Sequence, residues 1–85
     1  MYILSIDLGT SGPKVALVGE RGDLAATATR SVHTRMLPPD GAEQDPNEIW
    51  AAVLSAAKDV LRRAGRAVDT VAGITCDGQY FSIVM

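Results

Sequence analysis

The order of apolar and polar segments predicts an α/β fold, a β-β-β-α-β unit with a mixed sheet. Three observations point to it. Two short apolar runs flank a glycine-rich link, residues 45–64 carry the marks of one amphipathic helix, and another apolar run follows that helix. A strand that returns parallel after a helix needs a right-handed crossover, which sets the fourth strand beside the first.

Residues 2–7 (YILSID) form a short β-rich run that ends at a glycine turn, as a buried strand does. Residues 14–18 (KVALV) are the second strand, and the brief GTSGP link between the two predicts a hairpin. A polar turn, Glu20-Arg21-Gly22-Asp23, leads into a third strand over residues 24–34, with Leu24, Ala26, Ala28 and Val32 on one parity. Residues 35–44 (RMLPPDGAEQ) predict a loop, because Pro38, Pro39 and Gly41 interrupt regular structure.

The helix starts at DPNEIW. Asp45 suits the N-cap, Pro46 the first turn, and Glu48 the third position of a capping box. Ile49, Trp50, Val53, Leu54, Ala57, Val60, Leu61 and Ala64 then recur at helical spacing as one apolar stripe. Lys58, Arg62 and Arg63 fall toward the C-terminal end, where cations suit the dipole, and Gly65 is the stop. Residues 71–76 (VAGITC) predict the fourth strand, DGQ a turn, and residues 80–85 (YFSIVM) the start of another strand. A helix with one apolar stripe covers one face of a sheet, and the chain ends on an apolar run. Both predict the first part of a larger, here incomplete, domain.

Bulk properties exclude several classes. Eighty-five residues make at most one small domain, and 47% hydrophobic with 21% charged residues describes a folded chain. A net charge of −2 gives no electrostatic reason to expect nucleic acid or an anionic membrane as partner. Cys76 is the single cysteine, which rules out an internal disulfide and a multi-cysteine zinc site and predicts a reducing, cytoplasmic setting. No apolar run reaches the roughly 20 residues a bilayer span needs. The N-terminus lacks the basic region and cleavage site of a signal peptide.

The chemistry concentrates in residues 6–14, IDLGTSGPK. A Gly/Thr/Ser link between strands can turn successive N–H groups inward around an anion. Gly9 and Gly12 let backbone approach a phosphate, Thr10 and Ser11 add hydroxyl donors, and Lys14 adds positive charge. Asp7, at the carboxyl end of the first strand, stands where an oxygen ligand for Mg²⁺ would sit, directly or through water. The same residues also fit a plain turn capped by an aspartate. The pattern is neither G-x-x-x-x-G-K-[ST] nor G-x-G-x-x-G leading into a helix.

IDLGTSGPK resembles the first phosphate motif of the actin-like ATPase superfamily, whose ribonuclease H-like fold opens with this β-β-β-α-β order. Together with AEQDPNEIW and ITCDGQYFSIV, in the same order and across essentially all 85 residues, it resembles the start of the FGGY carbohydrate kinases, xylulose kinase-like members in particular. The resemblance implies an N-terminal fragment of the first FGGY kinase domain, with a phosphate hairpin at 7–14, a helix at about 46–64 and a sugar-side turn at 77–81. It implies ATP and Mg²⁺ as cofactors, Asp7 as the metal-handling carboxylate, and Gly9, Thr10, Ser11, Gly12 and Lys14 as the phosphate-facing set. It implies Asp77, Gly78, Gln79, Tyr80 and Phe81 as the sugar-side segment. Gly78-Gln79 matches the Gly-Gln that opens this segment, which in xylulose kinases continues Met-His and in glycerol kinases reads Gln-Arg-Glu over the corresponding stretch; this sequence continues Tyr80-Phe81. A Phe in place of a hydrogen-bonding side chain changes which hydroxyls can be recognised.

The implied activity is transfer of the γ-phosphoryl of ATP to a sugar or polyol hydroxyl, in a cytoplasmic enzyme whose remaining chain, and any second copy, are partners of this fragment. The family's catalytic base belongs to chain beyond residue 85, so the fragment alone is expected to be inactive. Two alternatives are a non-kinase ATPase of the same superfamily and a stand-alone, non-catalytic binding domain. Trp50 reads as core packing, His33 as structural or surface, Cys76 as an inert buried thiol, and Arg30, Arg35, Arg62, Arg63 and Arg66 as solvated surface. Asp77 fits either a turn or a bond to a substrate hydroxyl.

Overall fold

A computed structural model describes residues 1–39, 41–65 and 70–78. In chain order the elements are β1 (Tyr2–Gly9), β2 (Gly12–Gly19), β3 (Leu24–Thr29), β4 (Thr34–Leu37), β5 (Gly41–Gln44), α1 (Pro46–Ala64) and β6 (Val71–Asp77). The main sheet runs β3-β2-β1-β6, antiparallel between the first three strands and parallel between β1 and β6. This is the mixed β-β-β-α-β order that the sequence predicts. The anticipated strand at 80–85 lies outside the described residues.

Strand register sorts the side chains into two faces. Leu4 opposes Leu17, and Ile6 opposes Val15, which opposes Ala28. These residues meet Ala56 and Val60 of α1 in the core, where Val15, Leu17, Ala56 and Val60 are fully buried. Val15, Leu17 and Val60 each contribute about 1.5–3 kcal/mol by leaving water. The helix lies over β2 and β3, so the same face of β6 stays open and Ile74 is 67% exposed.

Four expectations change. The loop predicted for residues 35–44 is a second, two-stranded sheet, β4 paired with β5, joined through a cis Pro38–Pro39 peptide. The prolines fall in its connection rather than in its ladder, where they would remove a donor. The third strand ends at Thr29 rather than continuing to Thr34, and Leu24 is 61% exposed because no element covers its face. The apolar stripe of α1 divides into two ridges. Val53, Ala56 and Val60 are buried, whereas Trp50 and Leu54 are exposed, because they flank the sheet contact instead of pointing into it. Trp50 is therefore not a core residue of this unit.

The helix start carries the fourth change. Asp45 accepts a hydrogen bond from the Asn47 N–H at 2.9 Å, as an N-cap should. Glu48 does not complete the box; its carboxylate accepts from the His33 N–H at 2.6 Å and pins the segment after β3 to the helix. Gly65 terminates the helix with φ of 61°.

Candidate functional site

On the face away from α1, one polar row crosses the carboxyl ends of the two parallel strands. Asp77 lies beside Asp7, Asp7 opposes Lys14, and Lys14 opposes Thr29. Ligands of parallel sheets bind at this end of the strands. Asp7, Lys14, Thr29 and Asp77 are all exposed, as polar residues on an outward face are.

The hairpin between β1 and β2 sits above this row, and its carbonyls are anchored. The Ser11 carbonyl accepts from the Val32 N–H at 3.0 Å, and the Pro13 carbonyl accepts from the Arg30 N–H at 3.1 Å. The Thr10 carbonyl accepts from the side-chain amide of Gln44 at 2.6 Å. Gly12 has φ of 146°, and a Cβ there would stand 1.9 Å from the Arg30 carbonyl oxygen. That glycine is demanded by the close passage of the chain after β3. At Gly9 a Cβ would find only ordinary contact, 3.4 Å from the Gly12 carbonyl oxygen.

Five of the six residues expected at the phosphate side, Asp7, Gly9, Ser11, Gly12 and Lys14, line one cavity of about 440 Å³. Thr10 does not; it faces a second cavity of about 750 Å³ with mostly apolar walls from β1, the β4–β5 hairpin, α1 and β6. Reading the link as a run of equivalent donors missed that alternate residues of a tight hairpin point to opposite sides. Thr29, Arg30 and Ser31 complete the polar cavity and were not foreseen. Their only sequence signal is a Thr-Arg-Ser run at a strand end.

Among the described residues no group of three or more His, Cys, Asp and Glu could cage a metal ion. Asp7, with Asp77 in register beside it, instead offers exposed carboxylate oxygens next to the donors of the hairpin, a set that suits Mg²⁺ carried in on phosphates, an ion that keeps most of its waters. Asp7 fits that role.

Of the sugar-side segment, Asp77 and Gly78 are described and residues 79–81 lie outside the described residues. Asp77 accepts a hydrogen bond from the Gly78 N–H at 3.0 Å, which is the turn-forming use of the side chain. Gly78 lines the apolar cavity together with Trp50 and Cys76. The Cys76 thiol is exposed, not buried, because α1 packs mainly on β2 and β3.

The arginines are not all solvated. Arg30, Arg62 and Arg63 converge on Asp59 at 3.1–3.2 Å. Arg30 also donates to the Ser55 hydroxyl and the Thr29 carbonyl, and Arg63 to the Thr27 carbonyl. The hydrogen bond from Arg30 first, and then the charge of Arg63, hold the Asp59 carboxyl below its ordinary value of 3.8. Arg35 pairs with Glu43 across the β4–β5 hairpin, and Arg66 lies outside the described residues.

This geometry has known counterparts. The N-terminal domain model of the FGGY family of carbohydrate kinases matches residues 2–85. A glycerol kinase of Oceanobacillus iheyensis is 35% identical over 78 residues, which make up 92% of this chain and 16% of that protein. A glycerol kinase of Citrifermentans bemidjiense matches with the same identity and coverage. Among solved structures, a xylulose kinase from Brucella ovis superposes with a TM-score of 0.88 at 28% identity, over 93% of this chain and 16% of that one. The chain thus spans 16% of the length of the glycerol kinases it matches.

Proposed function

The chain belongs to the FGGY family of carbohydrate kinases, and from that membership we propose that the full-length protein carrying it transfers the γ-phosphoryl of ATP to a hydroxyl of a sugar or polyol. Residues 1–85 supply the first phosphate hairpin and part of the sugar site. The observation that carries this reading is the cavity in which Asp7, Ser11, Gly12 and Lys14 meet at the carboxyl end of β1.

Phosphoryl transfer leaves the protein mainly positioning and charge stabilisation to perform. Bound Mg²⁺ would supply neutralisation of the phosphate oxygens. The Asp7 carboxylate is the oxygen group that would hold it, directly or through water. Ser11 offers a hydroxyl and a backbone N–H, and Lys14 adds a positive charge across the ladder from Asp7. Gly12 lets the chain after β3 close the far wall. Asp77, Gly78, Gln79, Tyr80 and Phe81 form the sugar-side segment of this reading, with Asp77 in register beside Asp7. No residue of this chain is assigned as the base that takes the hydroxyl proton. The single cysteine suits a reducing setting, and a cytoplasmic location is part of this reading; among the described residues no helix is long and apolar enough to cross a membrane.

The test is Asp7→Ala in the full-length protein, assayed with Mg²⁺-ATP against a panel of sugars and polyols. The expected result is a fall in kcat of about a hundredfold or more, as for loss of a group that stabilises transition-state charge, with a much smaller change in sugar KM. Unchanged turnover would mean that the hairpin is only a turn. ATP hydrolysis unaffected by any sugar or polyol would favour a non-kinase ATPase.

A further inference from the structure

We propose that Gln44 is a positioning residue for nucleotide binding, aiming the backbone of the hairpin tip through the Thr10 carbonyl. This rests on the phosphate reading of that hairpin and adds a residue from outside it.

Gln44 ends β5, opposite Thr34 in the β4–β5 ladder. Its amide nitrogen donates to the Thr10 carbonyl at 2.6 Å and to the Thr34 hydroxyl at 2.8 Å. A carbonyl can only accept, so the chemistry of the contact fixes which end of the amide faces it. The Thr10–Ser11 peptide is trans, and in a trans peptide the C=O and the following N–H point in opposite directions. Holding the Thr10 carbonyl toward Gln44 therefore turns the Ser11 N–H away from it. Cavity lining agrees: Thr10 and Gln44 share the apolar cavity, whereas Ser11 lines the polar one with Asp7 and Lys14. Backbone N–H groups hold the Ser11 and Pro13 carbonyls, so the side-chain bond at Thr10 is the one that a substitution can remove.

The anchor is itself fixed. Gln44 directly precedes Asp45, whose side chain caps α1. An isolated two-stranded hairpin is marginally stable, and here the Gln44–Thr10 bond joins the hairpin to the main sheet.

The test uses the full-length protein and steady-state kinetics with Mg²⁺-ATP, comparing Gln44→Met, Gln44→Glu and Gln44→Lys, with Asp7→Ala alongside. Met keeps the length but removes the donor, so the Thr10 carbonyl turns to water and the Ser11 N–H loses its fixed direction, which predicts an ATP KM raised about tenfold, the scale of one hydrogen bond. Glu sets an acceptor against an acceptor and should raise it further. Lys retains a donor and should stay within about threefold of the parent. Sugar KM and Tm should hold in all three. An unchanged ATP KM in both Gln44→Met and Gln44→Glu overturns the proposal. So does a parallel loss of Tm, sugar KM and ATP KM that Lys fails to rescue, because that is a structural role. If Asp7→Ala keeps full turnover, the phosphate reading falls and takes this proposal with it. If Asp7→Ala is inactive while the Gln44 variants behave as the parent, only the positioning role falls.

Discussion

Gly9 and Gly12 look alike in the sequence and do different work. The Gly12 Cβ position is taken by the Arg30 carbonyl oxygen, and its φ lies in the range that L side chains avoid. Gly12→Ala should therefore destabilise the protein on the order of 3 kcal/mol, from combined strain and clash, seen as a lower urea midpoint. Gly9 has room for a methyl group and lines the polar cavity. Gly9→Ala should change stability by no more than about 1 kcal/mol while raising the ATP KM, because the methyl stands where backbone would meet phosphate. Equal stability losses in the two variants would contradict this division.

At the scale of elements, α1 is held to the sheet by a hydrophobic ridge and by a charged clamp. Val53, Ala56 and Val60 supply the ridge. The clamp is Asp59, which gathers Arg30 from the end of β3 and Arg62 and Arg63 from its own helix. Its native carboxyl titrates below 3.8, with the Arg30 hydrogen bond as the chief cause. A carboxyl lowered in the folded state binds its proton more readily when unfolded. The clamp's contribution is thus complete above 3.8 and is lost as pH falls below that value through the native pKa. Asp59→Asn should lower the urea midpoint near neutral pH and flatten its decline as pH falls below 3.8. An acid limb identical to that of the parent would remove Asp59 from the account.

For the molecule as a whole, α1 lies mainly over β2 and β3, and Trp50, Leu54 and Ile74 are exposed. The kinases that this chain matches are about six times longer, since it spans 16% of them. Residues 1–85 bring Asp7 and Lys14 to the hairpin, while no residue among them is assigned as the proton acceptor. The isolated chain should accordingly show no phosphotransfer to any sugar or polyol with Mg²⁺-ATP, by a coupled ADP assay. Measurable turnover would place a complete active site within these residues.

Local signals determined much of this protein. The alternation of β1 and β2, the DPNEIW start of α1 and the glycine stop after it are set by neighbours a few residues apart, and the structure follows them. That Asp7, Ser11, Gly12 and Lys14 stand together was legible for the same reason, since one hairpin carries them all. Tertiary structure decided what depends on elements far apart in the chain. Whether Trp50 and Cys76 are buried turns on where α1 lies over the sheet. The partner of Glu48 is the backbone of His33, not its own helix, and that of Gln44 is the Thr10 carbonyl, 34 residues away. Periodicity tells which residues are apolar or able to hydrogen-bond. Only packing tells what they meet, because a contact belongs to two segments and a sequence pattern to one.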